Sequence, residues 1–498
     1  MSVEAYHLAV LQVVVPLLSA PFVVLLRPRG LAWAAASAAS AMAFAIAVSL
    51  TAGVLSGDEY RYAVGGWAAP YGIEIRVDAL TSLLLLVVTG ASLVALLAGR
   101  RSLDVDIDDA RQPLFYGAWM LALAGLAGIV VSADAFNIFV FMEVSSLASY
   151  ILIAAGPNRR ALPATFKYLV MGTIGATFYL IGVGLIYMMT GTLNLADMAQ
   201  RVHEVADQRP VLAAAGFIIV GLALKAAVFP LHAWLPNAYT YAPHAVTVFL
   251  AACATKVQIY VLLRFDFLVF QGNLPGHEFQ FSHFLMPLAL LAILLASGVA
   301  MMERNLKRLL AYSSVAQIGY IMLGVSLLSA TGLSAGIIHI FNHALAKGAL
   351  FLAVACLGMH IQGLRLGDLA GAAKRMPWTM AAFVIAGLSL IGIPGTAGFV
   401  SKWLLISAAL AEGSLGIAVV AVVLIGSLMA VVYVWRVVEA AYFQSPQAGS
   451  PEGRHEAPPM LLVVTWAAVL GNVYFGLAPG LPIKLSQAAA ASLLQHLP

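Results

Sequence analysis

Charge is what this 498-residue chain has least of. Only 10% of its residues are Asp, Glu, Lys or Arg and mean hydropathy is +0.95, whereas soluble domains carry about 25% charged residues. That scarcity excludes an ordinary water-soluble enzyme. Cysteine is nearly absent: Cys253 and Cys356 each sit inside an apolar run, and no Cys-x-x-Cys occurs. A disulfide framework, a cysteine-held zinc and a cysteine-bound iron–sulfur cluster are therefore excluded as intrinsic features. A phosphate-binding GxxxxGK[ST] loop is also missing. The nearest stretch, Gly392-Ile-Pro-Gly-Thr-Ala-Gly398, lacks the Lys-Ser/Thr ending and reads as a helix break. The net charge of +4 would hint at nucleic acid in a soluble protein. Here the basic residues have a membrane explanation, and no nucleic-acid partner is expected. Glu4 precedes the first apolar run and Arg27 and Arg29 follow it. That is the reverse of a secretory signal, so the run reads as an anchor helix whose N-terminus faces out.

Long apolar runs are abundant. A helix crossing a bilayer needs about 20 apolar residues. Such segments fall at 6–26, 31–54, 77–99, 112–132, 134–154, 163–190, 210–235, 243–270, 284–302, 309–330, 334–360, 378–411, 415–443 and 459–480. The expected fold is an all-α polytopic membrane protein with about 14 transmembrane helices, a single membrane domain over 1–498. Between the second and third segments, residues 60–76 alternate and are rich in Tyr and Gly, which predicts a short β-hairpin on the membrane surface. Of the 26 Lys and Arg, 14 lie in odd-numbered loops and 6, including Arg264, in even-numbered loops and the C-terminal tail. Lys307 is counted with the first group. The positive-inside rule then puts the odd loops in the cytoplasm and both termini outside, in a bacterial cytoplasmic (inner) membrane.

Ser145-Ser-Leu-Ala-Ser-Tyr150 in the fifth segment is echoed by Ser313-Ser-Val-Ala-Gln-Ile-Gly-Tyr320 in the tenth. Lys225 stands just before a Pro-rich break in the seventh segment, and Lys402 just after one in the twelfth. Units of five helices must insert with opposite topology, and inverted repeats with interrupted helices mark secondary transporters. The expectation is two inverted five-helix repeats, 112–270 and 284–443, with discontinuous helices 7 and 12. Chance similarity among apolar helices is the alternative.

Six basic residues fall within segments: Lys167, Lys225, Lys256, Lys347, Lys402 and Arg436. Each charge left in lipid at mid-bilayer costs roughly 2.5–3.5 kcal/mol. Lys167 is near a helix end and can snorkel, and Arg436 can pair with Glu439 at i+3. Lys225, Lys256, Lys347 and Lys402 must instead face protein, a counter-charge or water. Glu143 is the main buried acid, with Ser146 and Tyr150 on the same helical face; it is either a satisfied ion-pair partner or a proton site. Lys225 and Lys402 each adjoin a break, where freed backbone groups are tolerated only beside protein or water; a kink used only for packing is the other reading. His339, His343 and Lys347 recur every four residues and so form one stripe, with Asn342 beside it. Three readings stand for the histidines: a proton relay near neutral pH, core histidines bonded to backbone or water, or haem or metal ligands. A single i, i+4 pair supplies only two ligands. His232 and His244 flank the first break as gates or as ordinary interface residues. Taken in order, Glu143, Lys225, Lys256, the His339/His343/Lys347 stripe and Lys402 suggest a proton chain. The Glu143–Lys225 pair would act as its switch.

These residues resemble the antiporter-like membrane subunits shared by Mrp-type Na⁺/H⁺ antiporters, respiratory complex I and membrane-bound hydrogenases. The matching stretches are Phe141-Met-Glu143, Leu224-Lys225 through Pro236, Thr255-Lys256-Val, Lys307 through Ser314, His339 through Lys347, and Gly398-Phe-Val-Ser-Lys402. The resemblance implies fourteen helices with two inverted five-helix repeats and a Glu–Lys pair between helices 5 and 7. It also implies a central lysine in helix 8 and a helix 12 residue leading to one side of the membrane. Glu143, Lys225, Lys256 and Lys402 occupy those places. The segment around Gly65–Glu74 and the Thr255-Lys-Val context look most like the D-type Mrp subunit. His244 departs from the family pattern, in which a Pro and small residues are more usual.

The function expected is a proton-translocating subunit of a multisubunit Na⁺/H⁺ antiporter. The alternative is the proton-pumping membrane subunit of a complex I-like NADH:quinone oxidoreductase or a membrane-bound hydrogenase; a scaffold with a vestigial channel is the third. The expected partners are H⁺, Na⁺, the lipid bilayer and other membrane subunits. No cofactor, metal, redox or hydrolytic site is expected on the chain.

Overall fold

The computed structural model describes residues 3–26, 28–270, 281–446 and 453–495; Arg27, counted above with the basic loops, lies outside the described residues. The chain is a bundle of α-helices with one small hairpin. In order these are α1 (Val3–Leu25), α2 (Arg29–Leu55), β1 (Tyr60–Ala63), β2 (Glu74–Val77), α3 (Ala79–Asp106), α4 (Gln112–Val131), α5 (Ala135–Ala154), α6 (Ala161–Thr190), α7 (Leu195–Glu204), α8 (Arg209–Lys225), α9 (Leu235–Tyr241) and α10 (His244–Leu263). The second half has α11 (Phe281–Met302), α12 (Leu306–Ser326), α13 (Ala330–Gly358), α14 (Ala372–Arg375), α15 (Pro377–Ile391), α16 (Ala397–Leu410), α17 (Gly413–Phe443), α18 (Pro459–Leu477) and α19 (Gly480–Leu494).

Among the described residues, twelve helices are long and apolar enough to cross a membrane. The seventh and twelfth segments are the interrupted ones: α8 with α9, and α15 with α16. The polar residues that punctuate the apolar runs start the helices. Asp78, Asp134, Asn194, Asn305 and Ser329 each accept a backbone N–H of the first turn, which satisfies donors a helix cannot satisfy itself. At the first break Ala227 has φ +55° and the Trp234 indole donates to the Leu224 carbonyl at 2.9 Å. At the second, Gly392 takes φ +93°, a conformation natural to glycine.

Position in the bundle decides which helices can carry charge. The apolar windows of α4, α10, α12 and α13 are 89–94% buried within the protein, whereas those of α17 and α18 are only 28% and 22% buried. The central helices are thus shielded from lipid, and their polar residues face other helices.

The hairpin pairs β1 with β2 antiparallel, Tyr60 opposite Val77, as its alternation suggested. It also staples neighbouring loops. The Ala133 N–H donates to the Glu74 carbonyl at 2.9 Å, and the Asn194 amide donates to the Glu74 carboxylate at 2.9 Å.

Several expectations change. Arg264 and Lys307, counted as loop charges, are 6% and 5% exposed. Arg436 does not serve Glu439; its guanidinium donates to the carbonyls of Met301 and Glu303 at the end of α11. The helices α7 and α19 had no counterpart among the fourteen segments. α19 packs on α13 and α3, where the Ser334 hydroxyl donates to the Ser486 carbonyl at 3.4 Å.

Candidate functional site

Lys225 ends α8 because the chain must leave the helix there: Pro230 and Pro236 follow, and neither can supply a backbone donor. Its ammonium crosses to α5, donating to Glu143 Oε1 at 3.3 Å and to Ser146 Oγ at 2.8 Å. The lysine side chain is 4% exposed and the glutamate 28%. Glu143 and Ser146 lie three residues apart on one face of α5, so a single ammonium reaches both. Behind the pair, Tyr168 stacks on Trp234 with centroids 4.1 Å apart, which ties α6 to the break.

A small polar cavity of about 10 Å³ adjoins Lys225, lined by Ser145, Ser146, Ser149, Tyr168 and Gln258. That is about the room one water needs. It reaches α10 at Ala254 and Gln258, two residues either side of Lys256. The buried Gln258 Oε1 has no protein partner. Lys256 is 1% exposed and donates to the Ala251 carbonyl of its own helix. It lies within electrostatic range of His339, His343 and Lys347.

The predicted stripe on α13 is buried in full: His339, His343 and Lys347 are 4%, 2% and 0% exposed. His339 bridges two helices, with Nε2 2.9 Å from Gln317 Oε1 on α12 and Nδ1 2.7 Å from Ser401 Oγ on α16. A neutral ring that donates from Nε2 accepts at Nδ1. The His339 and His343 rings lie parallel, 14° apart with centroids at 6.1 Å. Both His343 nitrogens are buried without a protein hydrogen-bond partner. Lys347 donates to the Leu310 carbonyl at 2.7 Å and to Ser313 Oγ. Asn342, beside the stripe, donates to the Ala397 carbonyl at 2.7 Å at the start of α16. Among the described residues no group of three His, Cys, Asp or Glu is placed to hold a metal ion.

Lys402 closes the series. Its ammonium donates to the carbonyls of Leu390 and Ile391 at 3.2 and 2.9 Å and to Ser427 Oγ at 2.9 Å. A cation on the last carbonyls of α15 meets the negative end of that half-helix. It also lies over the Tyr320 ring, 4.6 Å from its centroid. Gly398 N–H donates to Ser389 Oγ at 3.1 Å, and that hydroxyl donates to Asn472 at 2.7 Å, so α18 braces the second break.

The structure therefore brings Glu143 to Lys225, and joins His339 to the segment bearing Lys402 through Ser401. Lys225 lines a water-sized cavity that reaches α10 at Ala254 and Gln258, and Lys256 lies between those two residues in sequence, on the opposite face of that helix. Lys167 is exposed, in keeping with snorkelling. Sequence reasoning overlooked Gln317, Ser401, Ser313 and Ser427 as partners; Ser313 and Gln317 were visible in the echoed motif but read only as repetition. It also overlooked two buried clusters. Lys307 donates to the Ala242 carbonyl at 2.7 Å within range of Asp106 and His244. Arg264 binds both oxygens of Asp78 at 2.6 Å and Thr81 Oγ1 at 3.1 Å. Both had been read as solvent-facing loop charges.

Residues 132–429 match the family described as NADH:quinone oxidoreductase/Mrp antiporter, TM. The chain is 41% identical to an NADH-quinone oxidoreductase subunit N of Desulforudis audaxviator, over 95% of this chain and 96% of that one. It is 30% identical to the D-type subunit of a Na⁺/H⁺ antiporter of Bacillus subtilis, over 87% and 86%. Its fold superposes on a chain of the Mrp complex from Dietzia sp. with TM-score 0.89 and 29% identity, covering 99% and 98% of the two chains. It superposes on a chain of an archaeal membrane-bound sulfane sulfur reductase with TM-score 0.90 and 32% identity, covering 98% and 97%. The leaning toward the D-type Mrp subunit is not favoured, because the subunit N is the more similar of these two relatives. On motif, length and fold together, the chain is a polytopic membrane protein that belongs to the NADH:quinone oxidoreductase/Mrp antiporter transmembrane family.

Proposed function

We propose that the chain is a proton-translocating subunit of a multisubunit membrane complex. The observation that carries this is the Glu143–Lys225 pair, an acid and a base in contact at a helix break inside an apolar bundle. A buried ion pair contributes little net stability for its cost, so its presence is better accounted for by charge movement. In the proposed cycle the pair opens, Lys225 gives up its proton through the adjoining cavity, and Lys256 receives it. His339, His343 and Lys347 relay it, and Lys402 passes it to one side of the membrane. Two inverted repeats, 112–270 and 284–443, would place the two breaks on opposite halves of that path. Both termini would lie outside a bacterial inner membrane.

The coupling reaction belongs to the partners. The 41% identity to a NADH-quinone oxidoreductase subunit N favours a redox-driven, complex I-like assembly as the first reading. The likeness to D-type antiporter subunits and to the Mrp complex supports Na⁺/H⁺ exchange as the second. Proton flux measured in vesicles carrying the intact assembly tests both. Flux driven by a quinone reductant, with flavin or iron in the purified complex, supports the first reading. Flux driven by a Na⁺ gradient alone supports the second. An assembly that moves no protons under either drive overturns the proposal.

A further inference from the structure

The seam between α3 and α18 holds two cavities that the proton path does not use. The first is an apolar groove of about 510 Å³. Its walls include Phe44 of α2, Leu86 and Val94 of α3, and Gly471 of α18, and its floor is Ala344 and Gly348 of α13. The second, of about 390 Å³, is part polar and part apolar: Arg100, Arg101 and Asp104 share its lining with Leu97, Ala98 and the first turn of α18 at Pro459–Leu461. They follow one another along the same two helices. On α3 the groove's lining stops at Val94 and the second cavity's begins at Leu97; on α18 they meet between Ala467 and Leu461.

Length and charge both point to one kind of occupant. From Leu97 to Leu86 is 97 − 86 = 11 residues of α3, about 16 Å at 1.5 Å per residue. Half of a ~30 Å hydrocarbon core is about 15 Å, the depth an acyl chain occupies. At the polar end, Arg100 and Arg101 are exposed, and the Arg100 guanidinium lies 4.3 Å from the centroid of the Trp33 ring. The Trp33 indole in turn donates to the Leu96 carbonyl at 2.9 Å. Trp at this level marks the membrane–water interface. Asp104, the one acid in the cavity, accepts from the Gln112 amide at 3.4 Å. The start of α18 adds the positive end of its peptide dipoles. Basic cavities between membrane helices suit anionic headgroups.

We infer that the α3–α18 seam is a binding site for one anionic phospholipid, its phosphate on Arg100 and Arg101 and an acyl chain in the groove behind α13. The lipid would seal the back of the helix that carries His343 and Lys347. The test is native mass spectrometry of the full chain, with whatever membrane subunits co-purify, titrated with phosphatidylglycerol and separately with phosphatidylcholine. Wild type is expected to retain phosphatidylglycerol preferentially. Arg100→Gln with Arg101→Gln is expected to weaken that retention roughly thirty-fold, since each arginine near an anionic headgroup contributes about 1 kcal/mol, and to leave phosphatidylcholine unchanged. Gly471→Leu projects into the groove from a position where nothing lies within 4 Å of a Cβ, and should displace lipid with both arginines intact. Equal retention of the two lipids, or retention of phosphatidylglycerol unchanged in either variant, overturns the inference. So does a partner-subunit helix that crosslinks to Gly471→Cys.

Discussion

Glu143→Gln separates a switch from a strut. In the wild type the Lys225 ammonium lies 3.3 Å from Glu143 Oε1, with the lysine side chain 4% exposed and the glutamate 28%. Coulomb's law with an effective dielectric constant near 20 makes that attraction about 5 kcal/mol. Gln keeps the size of the side chain and removes the charge. Lys225 then keeps Ser146 and the neutral Gln amide oxygen as acceptors but has no counter-charge, and removing one charge of a buried pair costs roughly 3–5 kcal/mol. The double variant Glu143→Gln with Lys225→Met removes the stranded charge, so most of that stability should return. The assays are thermal unfolding of the purified protein and proton flux in vesicles of the intact assembly. A strut predicts that flux follows stability and recovers in the double variant. A switch predicts flux at least ten-fold down in both, although the double variant is stable and assembled. Wild-type flux in either variant would refute the reasoning.

The second break should be equally sensitive. A Cβ on Gly392 would meet Lys402 Cδ at 2.8 Å with φ already at +93°, so Gly392→Ala should cost roughly 1–3 kcal/mol and reduce proton flux. Gly216→Ala in α8, where nothing lies within 4 Å, should instead be neutral or stabilising by up to ~1 kcal/mol in the same unfolding assay. His339→Phe keeps the ring's bulk but removes its bonds to Gln317 and Ser401. Flux should fall several-fold; unchanged flux would remove His339 from the path. Asp78, which caps α3 just ahead of the apolar span Ala79–Asp106, gives a pH prediction. Burial raises its carboxyl, but Arg264 outweighs that and holds it at about 2, below the usual 3.8. A depressed carboxyl stabilises above its unfolded value and loses that contribution as pH falls from about 4 through about 2. Asp78→Asn should therefore cost roughly 2–3 kcal/mol at pH 7, with the difference from wild type vanishing below pH 2 in thermal unfolding.

The spans were legible because bilayer thickness imposes a run length, and the two breaks because Pro230 and the Gly392–Gly398 stretch forbid a continuous helix there. Glu143, Lys225, Lys256, Lys347 and Lys402 stood out because charge is costly in an apolar run. The same signal fails at the ends of runs. Arg264 directly follows α10 and Lys307 stands in the first turn of α12, and only the packing of α3 and α9 around them shows that they are enclosed. Arg436 and Glu439 have the spacing of a helical pair, yet the open carbonyls at the end of α11 compete for the guanidinium and win. Ser401 and Gln317 were unreadable for another reason. Neutral polar residues are common on helices, and only the meeting of α12, α13 and α16 makes these two the ends of one imidazole. α19 escaped because it is short and mixed in composition, so neither span length nor strict periodicity marks it.

The echoed motifs differ at the position that matters most for charge. Aligning Ser145-Ser146 with Ser313-Ser314 is an offset of 313 − 145 = 168, which puts Ala311 at the place of Glu143, since 143 + 168 = 311. Ala311 is fully buried, and no carboxylate stands there to meet Lys402. The second lysine is held instead by the carbonyls of Leu390 and Ile391 and the Ser427 hydroxyl. The two breaks thus stabilise an ammonium by different means, a full opposite charge in one and the end of a half-helix dipole in the other. A half-helix end is equivalent to roughly half an elementary charge, so Lys402 is bound by less attraction than Lys225. In the proposed cycle that difference gives the path a direction of control. The carboxylate-paired lysine is the one whose release needs an event elsewhere in the assembly, and the dipole-held lysine follows it.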